Sequence, residues 1–169
     1  MMVERRRAFA IGLLAMGLAR PVQATDISGT IATTLTIYDD SRLVGNVTCV
    51  VTGAPCIAFG APGVTLRLNG FTMTGRADLK TPCATAGLGE VGIDVTSQSN
   101  DAIVGPGIVQ GFRQFGIRLR TATGVTVKRV TANSNCWSGI FVTAASSDNR
   151  LEENISVRNG NPSNPCGGI

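Results

Sequence analysis

The sequence predicts an all-β solenoid, in which the short strands of successive repeats stack on one another. Segments of the second half each open with Gly-Ile, at Gly92, Gly116, Gly139 and Gly168, roughly 23 to 29 residues apart, a spacing typical of solenoid repeats. Within each segment apolar and polar residues alternate with the period of two that characterises a β-strand. Gly, Thr, Val and Asn are plentiful and aromatic residues are few, which suits short strands joined by frequent turns.

The first residues predict a signal peptide over residues 1–24. Glu4-Arg5-Arg6-Arg7 forms a charged start, residues 8–19 are apolar but too short to span a bilayer, and Val22-Gln23-Ala24 supplies small residues for cleavage. Arg6-Arg7-Ala8-Phe9 also resembles a twin-arginine signal, with the general secretory route as the open alternative. We therefore expect an exported protein, periplasmic or extracellular, with no transmembrane helix in the mature chain.

Charge and composition exclude several functions. The net charge is +4, but the leader carries +3 of it, so the alkaline pI does not indicate nucleic-acid binding. The chain has no histidine, which excludes Ser-His-Asp and Cys-His catalysis and histidine metal sites. Glu152-Glu153 is not expected to form a catalytic acid pair, because neighbouring side chains on a strand point to opposite faces.

The mature chain divides into two predicted parts. Residues 25–55 contain two strand-like runs and are interpreted as N-terminal strands or a cap, since an open solenoid end exposes unpaired strands. Residues 56–169 form the stacked rungs, and the glycine-rich segment 76–91 is a loop insertion, either on the binding face or disordered. Because Gly168-Ile169 begins another rung, we expect a truncated C-terminus.

Inward-facing and turn positions follow from the alternation. Asparagines that bond to the local backbone should mark the turns, since Asx side chains favour such positions. The predicted inner walls are Ile93, Val95, Ile103, Val104, Ile108, Ile117, Leu119, Val125, Val127, Val130, Ile140, Val142, Leu151, Ile155 and Val157, with Asn133, Asn135, Asn159 and Asn161 as a turn column.

The G-I-x-[VL] openings and the LRLNGFTMTG run at residues 66–75 resemble the right-handed parallel β-helix of the pectin-lyase-like superfamily, over about residues 49–169. The sequence has room for about four to five rungs, fewer than members of that superfamily usually have. The resemblance is specific for fold and poor for function, because that superfamily includes polysaccharide lyases, glycoside hydrolases, tailspikes and adhesins. It implies a polysaccharide-binding protein, with lyase-like activity left open. The alternative is a non-catalytic structural or adhesin-like surface protein.

Candidate site residues lie in the outward column after each Gly-Ile. Asp94, Arg118 and Phe141 share that column, Arg120 lies two residues on, and Lys128 comes from the next wall. We expect Asp94 to pair with Arg118, and Asp94, Arg118, Arg120 and Phe141 to bind an acidic sugar chain. Lyases of the superfamily use a basic residue to take the proton beside a uronate carboxyl, often with calcium, which makes Arg118, Arg120 and Lys128 the catalytic candidates. Acidic residues form no evident cluster, so no metal site or cofactor is predicted, and calcium enters only with lyase activity. A solvated strand face is the competing interpretation.

Five cysteines lie in the mature region, where export permits disulfides. Cys136 and Cys166 each precede a rung-opening glycine by two or three residues, so stacking is expected to bring them together. Cys49 and Cys56 are close enough in sequence to close a small loop. Cys83 is then left over, unless it replaces one of these partners.

Overall fold

The computed structural model describes residues 24–85 and 87–160. The predicted signal segment, apart from Ala24, and Cys166 lie outside these residues. All regular elements of the described chain are strands: β1 (Thr25–Ile31), β2 (Leu35–Ile37), β3 (Ser41–Cys49), β4 (Ile57–Phe59), β5 (Thr65–Arg67), β6 (Thr72–Thr74), β7 (Ile93–Thr96), β8 (Ala102–Gln110), β9 (Ile117–Arg120), β10 (Thr126–Asn133), β11 (Ile140–Thr143), β12 (Arg150–Glu152) and β13 (Ile155–Val157). None of the described residues forms a helix that is long and apolar enough to cross a membrane.

The strands form two sheets in which every pairing is parallel. One sheet has the order β1-β3-β5-β8-β10-β12, with β6 and β13 also attached, and the other has the order β2-β4-β7-β9-β11. Thr126 lies between Ala102 and Arg150, each 24 residues away in the chain. Each repeat therefore lies beside the corresponding strands of the next, and the prediction of an all-β chain with parallel strands is confirmed.

The isoleucine of each rung-opening Gly-Ile in the described chain and the apolar side chains that alternate with it form the core between the sheets. Ile93, Ile117 and Ile140 are fully buried, as predicted. Val142 on β11 was also expected inside, but 40% of it is exposed. β11 is the last strand of its sheet, so no strand of the described chain pairs with its outer edge to cover Val142.

Ile155 and Val157 were also expected inside but are exposed. The reason is that they lie opposite the outward Thr131 and Asn133, whereas Ser156 between them lies opposite the buried Ala132.

Burial along β8 alternates without a break, so Ile103 and Val109 lie on the same inner face, while Val104 and Ile108, both predicted inside, are only half-buried. Ile103 is buried as predicted, whereas Val109 takes the inner position that the pattern assigned to Ile108.

A change of phase occurs on β10, where Val127 and Val130 are both buried with Lys128 and Arg129 between them, at the register shift against β8. The backbone is crowded there, because a Cβ on Gly105 would overlap the carbonyl oxygen of Arg129.

Asparagines bond the turns of successive repeats to one another. Oδ1 of Asn135 accepts the N–H of Phe112 at 3.0 Å, and its Nδ2 donates to the carbonyl of Val109 at 3.2 Å. Asn159 makes the same pair of bonds one repeat later, to the N–H of Asn135 and the carbonyl of Ala132. These amides satisfy backbone groups that the strand pairing leaves free. The predicted turn column is thus present at two positions, while Asn161 lies outside the described residues.

The 76–91 segment has no strand, but it is held against the repeats. The Glu90 side chain is buried between two guanidinium groups, with Oε1 3.4 Å from Nη1 of Arg76 and 3.3 Å from Nη1 of Arg113. The backbone of Gly89 donates to Oε1 of Gln114. A buried carboxylate with two cationic partners resists separation from them, which favours a loop that packs against the repeats over the disordered alternative.

The described residues contain two disulfides. Cys49 is joined to Cys56, as expected, with Cα atoms 5.9 Å apart. Cys136 is joined to Cys83, with Cα atoms 4.6 Å apart, so the expected bridge from Cys136 to Cys166 is wrong. The folded-back loop carries Cys83 to Cys136, which proximity of repeat openings alone does not predict. Two disulfides are typical of exported proteins.

Candidate functional site

The strand register creates the predicted outward column. Asp94 on β7 lies opposite Arg118 on β9, and Arg118 lies opposite Phe141 on β11. Nε of Arg118 is 2.7 Å from Oδ1 of Asp94, and Asp94 is only 7% exposed. The hydroxyl of Thr96 donates to the same carboxylate at 3.1 Å. The carboxylate is thus buried, compensated and held in one orientation.

Phe141 of this column forms one cluster with two further aromatic rings, those of Phe115 and Trp137. Phe115 is buried, and its ring is stacked on that of Phe141, with centroids 4.3 Å apart and planes 4° from parallel. Trp137 meets Phe115 edge to face, with centroids 5.4 Å apart. Both are favourable geometries for aromatic pairs. Phe115 is therefore the support, and the half-buried Phe141 and Trp137 are the rings that solvent reaches.

Sequence reasoning found Phe141 but missed Phe115 and Trp137. A signal was present, because a bulky aromatic residue directly precedes the opening in QFGI and comes one residue earlier in WSGI. The alternation pattern ignores these positions, since they lie before the strands begin.

The aromatic rings and the arginines line one open groove of about 440 Å³. Arg120 is exposed in it, opposite Thr96 on one side and Thr143 on the other. Arg120 forms no ion pair with any residue in the described chain, in contrast to Arg118. The full lining comprises Gln114, Phe115, Arg118, Arg120, Trp137, Ser138, Phe141, Thr143 and Ala144.

Lys128 does not belong to this groove, contrary to the grouping predicted from the sequence. It lies on β10, in the other sheet, because the chain turns between β9 and β10. Its Nζ is 3.0 Å from Oε2 of Glu152 and 3.8 Å from Oε1 of Glu153. The two glutamates face the same cation and not opposite faces, since the strand ends at Glu152 and Glu153 has a φ of 54°. These contacts raise the pKa of Lys128 and lower that of Glu152, in each case chiefly through the hydrogen bond that joins them.

Acidic side chains are dispersed across the described residues. Asp94 is committed to Arg118, Glu90 to Arg76 and Arg113, and Glu152 to Lys128. Within residues 24–85 and 87–160, no group of three or more His, Cys, Asp or Glu side chains is placed to hold a metal ion.

Comparison with protein-family models, with curated proteins and with solved structures finds no match to this chain. Its function has to be inferred from the chemistry of the groove. The groove offers two half-buried aromatic rings that solvent reaches, Phe141 and Trp137. It also offers Arg118, which is paired with Asp94, and Arg120, which has no ion-pair partner among the described residues.

Proposed function

We propose that the chain is an exported right-handed parallel β-helix of the pectin-lyase-like kind that binds polysaccharide in the groove between Arg120 and Trp137. The fold is supported by the all-parallel pairing and by the register of about 24 residues between repeats. Export to the periplasm or the cell exterior is supported by the two disulfides and by the signal-like first residues.

One observation carries the binding proposal: an uncompensated arginine and two solvent-facing aromatic rings line the same groove. Aromatic rings offer a flat apolar surface on which the face of a sugar ring that presents C–H groups can stack. A guanidinium binds a carboxylate through two parallel hydrogen bonds. A uronic acid has both an apolar ring face and a carboxylate, so an acidic polysaccharide is the ligand class that suits Trp137, Phe141 and Arg120 together.

Binding suits the groove better than lyase chemistry does. A lyase needs a base for the proton beside the carboxyl group, and both cations of the groove are arginines, whose guanidinium groups stay protonated in proteins. Arg118 is moreover committed to Asp94, and Lys128 lies on the other sheet. Arg120 remains the catalytic candidate if cleavage occurs.

Trp137 is the single tryptophan of the chain, so its fluorescence reports on the groove directly. Titration with sodium hyaluronate and with polygalacturonate should change the emission of Trp137 and saturate for at least one of them. Phe141→Leu should weaken that response, because it removes one stacking face, whereas Lys128→Ala, on the other sheet, should leave it intact. Absence of any saturable change with either polymer would contradict the proposal.

Absorbance of the unsaturated product, followed with and without calcium, separates binding from cleavage. We expect no rise; a rise would establish a lyase and direct mutation to Arg120. If neither binding nor cleavage is found, the structural or adhesin-like alternative is favoured. Its support is the row of polar side chains that continues from Thr30 through Thr48 and Thr74 to Gln110 across the larger sheet.

A further inference from the structure

We infer that the groove selects chains in which a uronic acid alternates with an uncharged sugar, over chains that carry a carboxylate on every ring. The inference rests on the proposed saccharide binding and concerns its charge selectivity. The observation behind it is that the two arginines of the groove differ in their charge balance: Arg118 has an internal counterion and Arg120 has none among the described residues.

The Asp94 carboxylate, on the neighbouring strand, neutralises the charge of Arg118. The pair is 2.7 Å apart, and the Asp94 and Arg118 side chains are 9% and 18% exposed. Because the pair is shielded from water, its members interact strongly with each other and present little net charge outwards. A ligand carboxylate that approaches Arg118 would either displace the Asp94 carboxylate or lie beside it as a second negative charge. Either arrangement costs free energy, so Arg118 is a poor second carboxylate site.

Arg120 has the opposite character. It is two residues further along β9, is exposed, and lies between the uncharged Thr96 and Thr143. All groove-lining side chains other than the two arginines are uncharged. The groove therefore offers one charge-assisted contact beside an aromatic and hydroxyl-bearing surface. A chain with one carboxylate between neutral rings satisfies that arrangement, whereas a chain with adjacent carboxylates leaves at least one of them without a cation.

The test is a fluorescence titration of Trp137 with three hexasaccharides: a hyaluronan fragment, in which charges alternate, oligogalacturonate, in which every ring is charged, and cellohexaose, which is neutral. We expect the hyaluronan fragment to bind about tenfold more tightly than either of the others, the size of one charge-assisted contact. Equal or tighter binding of oligogalacturonate would overturn the selectivity while leaving the proposed function standing. No response to any of the three would overturn the proposed function itself, and the selectivity with it.

Two variants assign the selectivity to its residues. Asp94→Asn keeps the size of the side chain and removes its charge, which makes Arg118 available as a second cation. Affinity for oligogalacturonate should then rise about tenfold, with little change for the hyaluronan fragment. Arg120→Gln should lower affinity for the hyaluronan fragment by about tenfold and leave cellohexaose unchanged. An unchanged ratio of the two acidic ligands in a folded Asp94→Asn protein would contradict the inference, and Arg120→Gln tests it independently if that variant fails to fold.

Discussion

Arg118 and Asp94 are joined at 2.7 Å between Nε and Oδ1, the same separation that joins Arg42 to Asp26 at the start of the chain. The two pairs differ in exposure: the side chains of the first pair are 18% and 9% exposed, and those of the second 47% and 51%. The same Nε–Oδ1 separation in different surroundings makes Arg42 a suitable control for Arg118, although Nη2 of Arg42 also donates to Oδ2 of Asp26 at 3.5 Å.

Arg118→Ala should lower the free energy of unfolding by about 2 kcal/mol, because it leaves the Asp94 carboxylate buried without its cation. Urea unfolding measures the loss. Arg42→Ala should cost distinctly less, since water screens the carboxylate that remains. The double change Asp94→Asn with Arg118→Ala should recover part of the loss. Equal destabilisation by the two single arginine variants would show that burial of Asp94 has no energetic weight.

Phe115→Ala should lower stability by about 3 kcal/mol and shift the emission of Trp137 to longer wavelength. The buried ring of Phe115 supports the two half-buried rings of the groove, so its loss admits water to the indole of Trp137. Phe112 is also buried but has no ring contact with Trp137. Phe112→Ala should therefore cost similar stability with a smaller spectral change, and the reverse order of the two shifts would refute the assigned role of Phe115.

The two disulfides should differ in their contribution according to the loops they close. Cys83 and Cys136 are 53 residues apart in the chain, whereas Cys49 and Cys56 are 7 apart. In the chain-entropy description these separations correspond to about 4 and about 2 kcal/mol. Replacing Cys83 and Cys136 together by serine should accordingly lower the unfolding midpoint more than replacing Cys49 and Cys56. The 76–91 loop should also become more susceptible to limited proteolysis in the first variant only.

Because of the buried carboxyl of Asp101, we expect the free energy of unfolding to fall as pH rises. Asp101 is 1% exposed; its Oδ1 accepts the N–H of Val64 at 2.9 Å, and its Oδ2 has no hydrogen-bond partner in the part of the chain that the structure describes. Burial raises the pKa of the Asp101 carboxyl, so the folded state holds the proton more tightly than the unfolded state does. The free energy of unfolding therefore falls as pH rises from the unfolded pKa of about 3.9 through the raised folded pKa.

Asp101→Asn should raise stability at neutral pH by about 1 kcal/mol and remove this pH dependence. Asn149, two repeats on in the same column, shows why: its Oδ1 accepts the N–H of Val125, and its Nδ2 donates to the carbonyl of Ala122. Urea unfolding of both proteins between about pH 4 and pH 7 measures the effect. Asn149→Asp is the reciprocal control and should introduce a weaker pH dependence, because Asn149 is only half-buried and burial is the main cause of the shift at Asp101. A loss of stability in Asp101→Asn at neutral pH would contradict the account.

The sequence alone was sufficient for features that depend on period and register. Alternation with a period of two identifies Ile93 and Ile117 as core residues, and a regular repeat spacing places Asp94 beside Arg118. Both are properties of stacked parallel strands, and they hold wherever the repeats are regular. The prediction fails where a strand has no partner on its outer side, as at Val142, and where a residue was assigned out of phase with its own strand, as Ile108 was on β8.

Only the tertiary structure decided which residues meet across the corners of the repeats. Lys128 lies away from Arg120, Cys83 reaches Cys136, and Glu153 turns towards Lys128. The corners are formed by ordinary side chains in the left-handed region, including Thr121 and Arg129 with φ of 51° and 55°. Residues of these types adopt that region seldom and without a local sequence signal, because the surrounding hydrogen bonds impose it. The direction of the chain after each strand is therefore set by packing of the whole structure.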